Sequence, residues 1–376
     1  MRKHLSMYSC FLALLCCGAL LLNACGEAPA QGTAQPGATR GVTPTPTHGI
    51  TPTPTRGLRP DLERGMIYPG WQPGSYGSVD TTWRKGVQDI KKQTGATWLE
   101  IPVLLTQDTP SSTNVYAGAS TPGVDAFASG VRYAVSLGYH VFFIPLSGVN
   151  TSGGWAGIIQ FGTQQQEQQW FDSYWKILKP YAQAAQDNGA EQMAIGTELS
   201  WLQENAPASM WNQLISRVRS VFKGKLTYDM NWTPSLYDPP QSWMSNPELS
   251  AIGLSEYVPL VDNAVRVDPA AMPDLWKARV GKLIDAFSNK VHKPIILSEV
   301  GYRNTSDALY APYSAQSDAP VDQQEQAGAY AATLINVFAD SAIIGVFFWA
   351  WDNVARESIA GMQAVQVVNR WYTRKA

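Results

Sequence analysis

From Asp61 onward, short apolar runs of strand length alternate with longer segments of helical period. The strand-like runs fall at 65–68, 97–103, 140–146, 192–196, 225–231, 251–255, 294–298 and 343–348. Helical periodicity fills the gaps, most clearly at 81–93, 125–137, 164–187, 207–222, 272–289 and 322–339. Met210, Trp211, Leu214, Ile215, Val218 and Val221 fall on one apolar helical face. Pro207 suits a first turn, while Gly189 and Gly224 suit helix stops. Eight strand–helix alternations in the roughly 310 residues after Asp61 predict an α/β chain of the (β/α)8 TIM-barrel type. The main rival is a doubly wound open sheet. It would usually carry a Gly-rich phosphate turn after an early strand, and neither G-x-G-x-x-G nor G-x-x-x-x-G-K-[ST] occurs.

The pattern is different before Asp61. Arg2, Lys3 and His4 form a basic start, followed by an apolar run too short to span a bilayer comfortably. The run ends in Leu22-Asn23-Ala24-Cys25, which looks like a bacterial lipobox, so residues 1–24 read as a lipoprotein signal peptide and Cys25 as the lipidation site. A plain secretory signal, with Cys25 incidental, is the alternative. Residues 25–60 are rich in Pro, Thr, Gly and Ala and contain the near-repeat GVTPTPTHG–ITPTPTRG. Thr-Pro alternation removes backbone donors and restrains its neighbours, so an extended, disordered stalk is predicted. The catalytic or binding body is then 61–376, held on the extracellular face of the membrane.

All four cysteines (Cys10, Cys16, Cys17 and Cys25) lie in or at the edge of the signal, so the body has no disulfide and must be stabilised by core burial. The formal charge of −2 becomes −4 once Arg2 and Lys3 are removed with the signal. A mildly acidic body without a basic run argues against nucleic acid. No later apolar stretch is long enough for a membrane span, and membrane contact is expected through the lipid alone. A monomer is expected.

Chemistry in such a barrel gathers at the C-terminal ends of the strands. Strand 1 runs into Trp71, strand 2 into Gln107 and strand 3 into a loop carrying Trp155. Strand 4 ends at Glu198, with Trp201 just beyond; strand 5 ends in Asn231-Trp232 and strand 6 in Glu256-Tyr257. Strand 7 ends at Glu299, followed by Tyr302 and Arg303, and strand 8 ends in Trp349-Ala350-Trp351-Asp352. Opposed carboxylates are what glycoside hydrolysis requires, one to protonate the leaving oxygen and one to attack the anomeric carbon. Aromatic faces suit the C–H edges of sugars. Glu256 reads as structural, and Asp229, inside strand 5, as an internal hydrogen-bonding group. His4 and His48 lie before the barrel, and His140 and His292 near strand starts at its opposite face. With no His cluster, H-E-x-x-H or G-x-S-x-G motif, no catalytic metal, no cofactor and no Ser-His-Asp chemistry is expected.

The strand-end segments together resemble glycoside hydrolase family 113, a clan GH-A family of endo-β-1,4-mannanases. They are GMIYPGW, TGATWLEIPVLLTQD, AIGTEL, WNQLISRVRSVFKGKLTYDMNW, AIGLSEYVPL, ILSEVGYRN, DQQEQAGAYAA and GVFFWAW, spread in order from Gly65 to about Trp351. The resemblance implies Glu198 as acid/base, Glu299 as nucleophile, and Tyr257 and Trp349 as contacts around the −1 sugar. It implies a retaining hydrolase of β-1,4-linked mannan-type polysaccharides or oligosaccharides. The chain departs from the clan pattern at Thr197, where Asn usually precedes the acid/base, and at Ile144-Pro145-Leu146-Ser147, where polar residues are usual. Both departures bear on sugar specificity. Another β-glycanase specificity, or a non-catalytic sugar-binding lipoprotein with two lobes, is the alternative reading.

Overall fold

The computed structural model describes residues 59–151, 154–233, 236 and 238–374. The signal peptide, Cys25 and nearly all of the stalk lie outside the described residues. Eight parallel strands close into one barrel in sequence order. They are β1 (Glu63–Ile67), β2 (Trp98–Gln107), β3 (His140–Val149), β4 (Gln192–Thr197), β5 (Lys225–Asn231), β6 (Ile252–Glu256), β7 (Ile295–Val300) and β8 (Ile343–Phe348). The doubly wound sheet and the two-lobed receptor are thereby excluded.

The outer layer consists of α1 (Thr81–Thr94), α2 (Val124–Ser136), α3 (Gln164–Asp187), α4 (Ser200–Asn205), α5 (Ala208–Val221), α6 (Met272–Trp276), α7 (Lys282–Val291), α8 (Gln323–Ala339) and α9 (Gln363–Tyr372). Local chemistry sets their ends. Asp80 caps α1 through Trp83 N, Thr163 caps α3 through Gln166 N, and Asp322 caps α8 through Gln324 N and Glu325 N. Such caps satisfy donors that the first turn leaves unpaired.

Three features depart from the sequence expectation. The single helix predicted over 272–289 is interrupted by a π-turn at Lys277–Gly281. Between β5 and β6 the described residues carry only a 3-10 turn, Ser242–Ser245, in place of a helix. Helix α9 was not predicted, yet it closes the seam between β1 and β8. The Tyr372 hydroxyl lies 3.1 Å from the Gly65 carbonyl, and Arg64 donates to the Tyr372 carbonyl.

Two apolar layers result. The barrel interior holds Ile67, Trp98, Phe142, Ile144, Leu146, Ala194, Ile296, Phe347 and Trp349. A larger layer lies between sheet and helices, where Trp211 stacks on Trp243 with centroids 4.3 Å apart and Trp170 on Tyr174 at 4.8 Å. Polar residues enter the interior at both ends: Glu63 with Gln192 and Lys225 at the strand starts, and Glu100, Asp229, Ser255 and Ser298, all buried, toward the C-terminal mouth.

Candidate active site

Strand alternation alone would not aim Glu198 and Glu299 as they are aimed. Ala194 pairs with Thr227 but Thr197 with Asp229, so β4 carries one extra residue just before Glu198. Gly253 pairs with Ile296 but Ser255 with Glu299, so β7 carries one extra residue just before Glu299. A bulge of this kind re-aims the following side chain. Glu198 then adopts a positive φ of 51°, an uncommon conformation for a residue with a Cβ. It is held there by Glu198 N donating to the Asp229 carbonyl at 2.8 Å and by Ser200 N donating to the Glu198 carbonyl at 2.8 Å.

Both oxygens of Glu198 are met by donors. Asn231 Nδ2 donates to Oε1 at 2.8 Å, with the amide orientation fixed by Thr233 N donating to Asn231 Oδ1 at 2.9 Å. Trp155 Nε1 donates to Oε2 at 2.5 Å. Trp155 is brought there by a short antiparallel bridge to Gly148. Glu299 has one such donor, the Tyr257 hydroxyl, 2.5 Å from Oε1. Gly301 leaves room for this arrangement: a Cβ there would meet the Trp349 carbonyl at 2.9 Å and the Tyr257 ring at 3.3 Å.

Burial raises the pKa of Glu198, while Trp155, Asn231 and Ser255 oppose the rise. Glu299 is raised well above the usual carboxylate range, first by burial and then by the charge of Glu198, with Asp229 and Glu357 adding to it and Tyr257 opposing. The acid role implied for Glu198 calls for the higher pKa there. In the free protein the donors favour charge on Glu198 instead. The charge of Glu198 acts on Glu299, so the two groups are electrostatically linked.

Trp349 and Trp71 line the same mouth, with ring centroids 6.2 Å apart, and Trp349 Nε1 donates to Glu357 Oε2 at 3.1 Å. Trp232 packs beside Tyr313, with centroids 6.2 Å apart. Trp201, on α4, is half-buried against the outer apolar layer, and α4 packs on the turn after Trp155.

Three expected sugar contacts are placed elsewhere. Gln107 is buried with both amide atoms engaged, Nε2 donating to the Thr109 carbonyl and Oε1 accepting from Trp170 Nε1, each at 2.7 Å. Tyr302 is fully buried in the outer layer, against Tyr330, with its hydroxyl between Thr333 and Glu256. Trp351 is likewise buried in the outer layer.

Glu357 was missed. It lies beyond any recognisable motif, is buried, raised to about 7 chiefly by burial, and has one oxygen without a protein partner. Glu256, read from the sequence as structural, accepts from Val258 N and Trp276 Nε1 behind β6. Among the described residues no group of three or more His, Cys, Asp or Glu could hold a metal ion, and no helix is long and apolar enough to cross a membrane.

A closed barrel with linked carboxyls on β4 and β7 and an indole-lined mouth defines a glycoside hydrolase. Residues 71–366 match the model of glycoside hydrolase family 113, and the chain belongs to that family. It is similar to the solved β-mannanase of this family from Alicyclobacillus acidocaldarius, at 25% identity and TM-score 0.70 over 83% of this chain and 97% of that one. A family 113 β-1,4-mannanase complex shares the fold at 23% identity and TM-score 0.69, over 84% and 99% of the two chains. The family 5 mannosidase from Rhizomucor miehei shares it at 13% identity and TM-score 0.56, over 83% and 92%. No curated protein matches the chain.

Proposed function

We propose that the protein is a retaining hydrolase of β-1,4-linked mannan-type polysaccharides or oligosaccharides, with Glu198 as acid/base and Glu299 as nucleophile. The observation that carries this reading is the unequal setting of two linked carboxyls: Glu198 amid several donors, Glu299 with the Tyr257 hydroxyl. A proton must sit on Glu198 for the first step. A glycosidic oxygen placed against Glu198 is an acceptor that favours that arrangement, and positive charge developing at the anomeric carbon favours an ionised Glu299. Once Glu299 carries the sugar its charge is gone, and Glu198 acts as base toward water.

The mannan specificity is supported by the mannanases that share the family. Thr197 favours a second specificity on the same barrel, because its hydroxyl is buried without a protein partner where an amide is usual in the clan. Reducing-end release from β-mannan, glucomannan, cellulose and xylan decides between them. Release from mannan alone is the expected result, and preference for cellulose or xylan would displace the mannanase reading. Anchoring through Cys25 on the outer face of the bacterial membrane, with the barrel carried on the Thr/Pro stalk as a monomer, completes the proposal.

A further inference from the structure

The carboxyl of Asp229 is fully buried on β5, and the mechanism above does not use it. Its contacts run in both directions across the barrel. Ser298 Oγ, on β7 and next in the chain to Glu299, lies 2.6 Å from Asp229 Oδ1. Ser255 Oγ, on β6 and in register with Glu299, lies 3.2 Å from Oδ2. Ser255 also favours the charged form of Glu198, whose backbone N–H is held by the Asp229 carbonyl.

Asp229 and Ser298 are not on neighbouring strands. β6 lies between them, and Gly253, the register partner of Asp229, is what lets them meet. A Cβ on Gly253 would lie 2.6 Å from Ser298 Oγ and 3.1 Å from Asp229 Cα. Real Cβ atoms do not approach so closely, so any side chain at 253 would displace Ser298 or the strand beside it.

We propose that Asp229 is a positioning residue for the catalytic pair, its neutral carboxyl tying β5 to β7 across Gly253 and setting Glu299 against Glu198. The proposal rests on the reading of Glu198 and Glu299 as that pair.

The neutral form follows from proton counting. Ser255 has one hydroxyl proton and acts on two carboxyls, Asp229 and Glu198, so it can donate fully to only one of them. The other contact is a hydrogen bond only if a carboxyl supplies the proton. With Asp229 protonated at Oδ2, Asp229 donates to Ser255, Ser255 donates to Glu198, and Ser298 donates to Asp229 Oδ1. Every group in the chain is then satisfied, and the carboxylate of Glu198 gains a donor just when it must act as base. The charges facing Asp229 agree. Glu100, Glu198 and Glu299 surround it, and among the described residues none of the four carboxyls forms an ion pair. Burial, with the charge of Glu198 adding to it, raises Asp229 to about 8.

An asparagine reproduces this pattern: Oδ1 accepts from Ser298 and Nδ2 donates to Ser255. The test compares Asp229→Ala, Asp229→Asn and Gly253→Ala in the full chain, on the polysaccharide that wild type cleaves, with melting curves to establish folding. Asp229→Ala should lower kcat about 10²-fold with KM nearly unchanged, the scale set by small misplacement of reacting groups. Gly253→Ala should follow it, and Asp229→Asn should restore kcat close to wild type. A wild-type kcat in Asp229→Ala overturns the proposal, and an Asn variant as slow as the Ala variant overturns the neutral form. If Asp229→Ala does not fold, Ser298→Ala, which removes only the β7 end of the tie, must still lower kcat.

Should wild type cleave no glycan, the functional reading fails on its own, and the tie is read without substrate. Carbon-13 NMR titration of the Glu198 and Glu299 carboxyls, assigned with Glu198→Gln and Glu299→Gln, should give the same curves for wild type and Asp229→Asn and moved curves for Asp229→Ala. Identical curves in all three proteins overturn the proposal.

Discussion

The Tyr257 hydroxyl donates to Glu299 across 2.5 Å, reaching from the end of β6 to the end of β7, and no other hydrogen bond to the Glu299 carboxyl is seen among the described residues. It favours the ionised form against burial and the charge of Glu198. Hydrogen bonds to charged groups contribute about 1.5–3 kcal/mol. Tyr257→Phe should therefore lower kcat/KM on the order of 10- to 100-fold. The sign of the pH effect is fixed as well. Losing the donor raises the pKa of Glu299, so the acid limb of the kcat/KM profile moves to higher pH. A limb that stays in place would remove Tyr257 from control of the nucleophile.

Trp155 acts on the other carboxyl in the same sense. Its N–H lowers the pKa of Glu198 against burial. Trp155→Phe keeps a ring and removes the donor, so the pKa of Glu198 rises and the alkaline limb moves to higher pH. The acid step survives and the base step slows, which should appear as accumulation of a covalent intermediate in intact-protein mass spectra.

Removing Glu198, the proposed acid, should hurt substrates in proportion to how much help the leaving group needs. Glu198→Ala should slow polysaccharide cleavage by about 10²–10⁴-fold, the usual contribution of general acid–base catalysis. Glycosylation by an activated aryl β-glycoside should suffer far less, and added azide should restore turnover as a β-glycosyl azide. An α-configured first product by NMR would exclude the double displacement.

The buried carboxyls also predict how stability depends on pH. Burial is the first cause that raises Asp229 to about 8 and Glu256 and Glu357 to about 7, with Glu100 raised well above its usual range. The folded state thus keeps protons that the unfolded chain releases near pH 4, and its stability falls as pH climbs from there toward 8. Melting temperature should decline by several degrees between about pH 5 and pH 8. Glu256→Gln and Asp229→Asn should flatten the decline. A melting temperature that rises over that interval would contradict the linkage.

At the other end of the chain, Cys25→Ser should release the protein from membranes, because the lipid is the only anchor proposed. Fractionation of cells with an antibody to the barrel checks it; a variant that stays in the membrane pellet points to a different anchor.

The barrel was legible because its strands are apolar runs bounded by turn residues. The runs at 225–231 and 343–348 coincide with β5 and β8 residue for residue. Helix α9 was overlooked although its buried face, Ala364, Val365, Val368, Trp371 and Tyr372, keeps helical spacing; it is short, and Met362 before it offers no side-chain cap. The missing helix after β5 had a signal that periodicity ignored, the Asp238-Pro239-Pro240 run. At the mouth, Glu198, Glu299, Trp155, Asn231, Tyr257 and Trp349 come together as strand-end position implied. Which way a strand-end aromatic points depends on register. Extra residues in β7 and β8 change that register without any mark in the sequence, and so Tyr302 and Trp351 could not be assigned to the outer layer in advance.

The extra residues in β4 and β7 that precede Glu198 and Glu299 have a further consequence. They lie within the hydrogen-bonded wall, so the span between the reacting oxygens belongs to the sheet and not to the segments that cross the rim. Rim segments other than the one that carries Trp155, which donates to Glu198, can be lengthened, shortened or exchanged for those of a relative while the reaction centre keeps its dimensions. For an engineer, the polymer this protein accepts and the bond-breaking step it performs are separately adjustable: the first by rebuilding what stands above the wall, the second only by altering the wall itself.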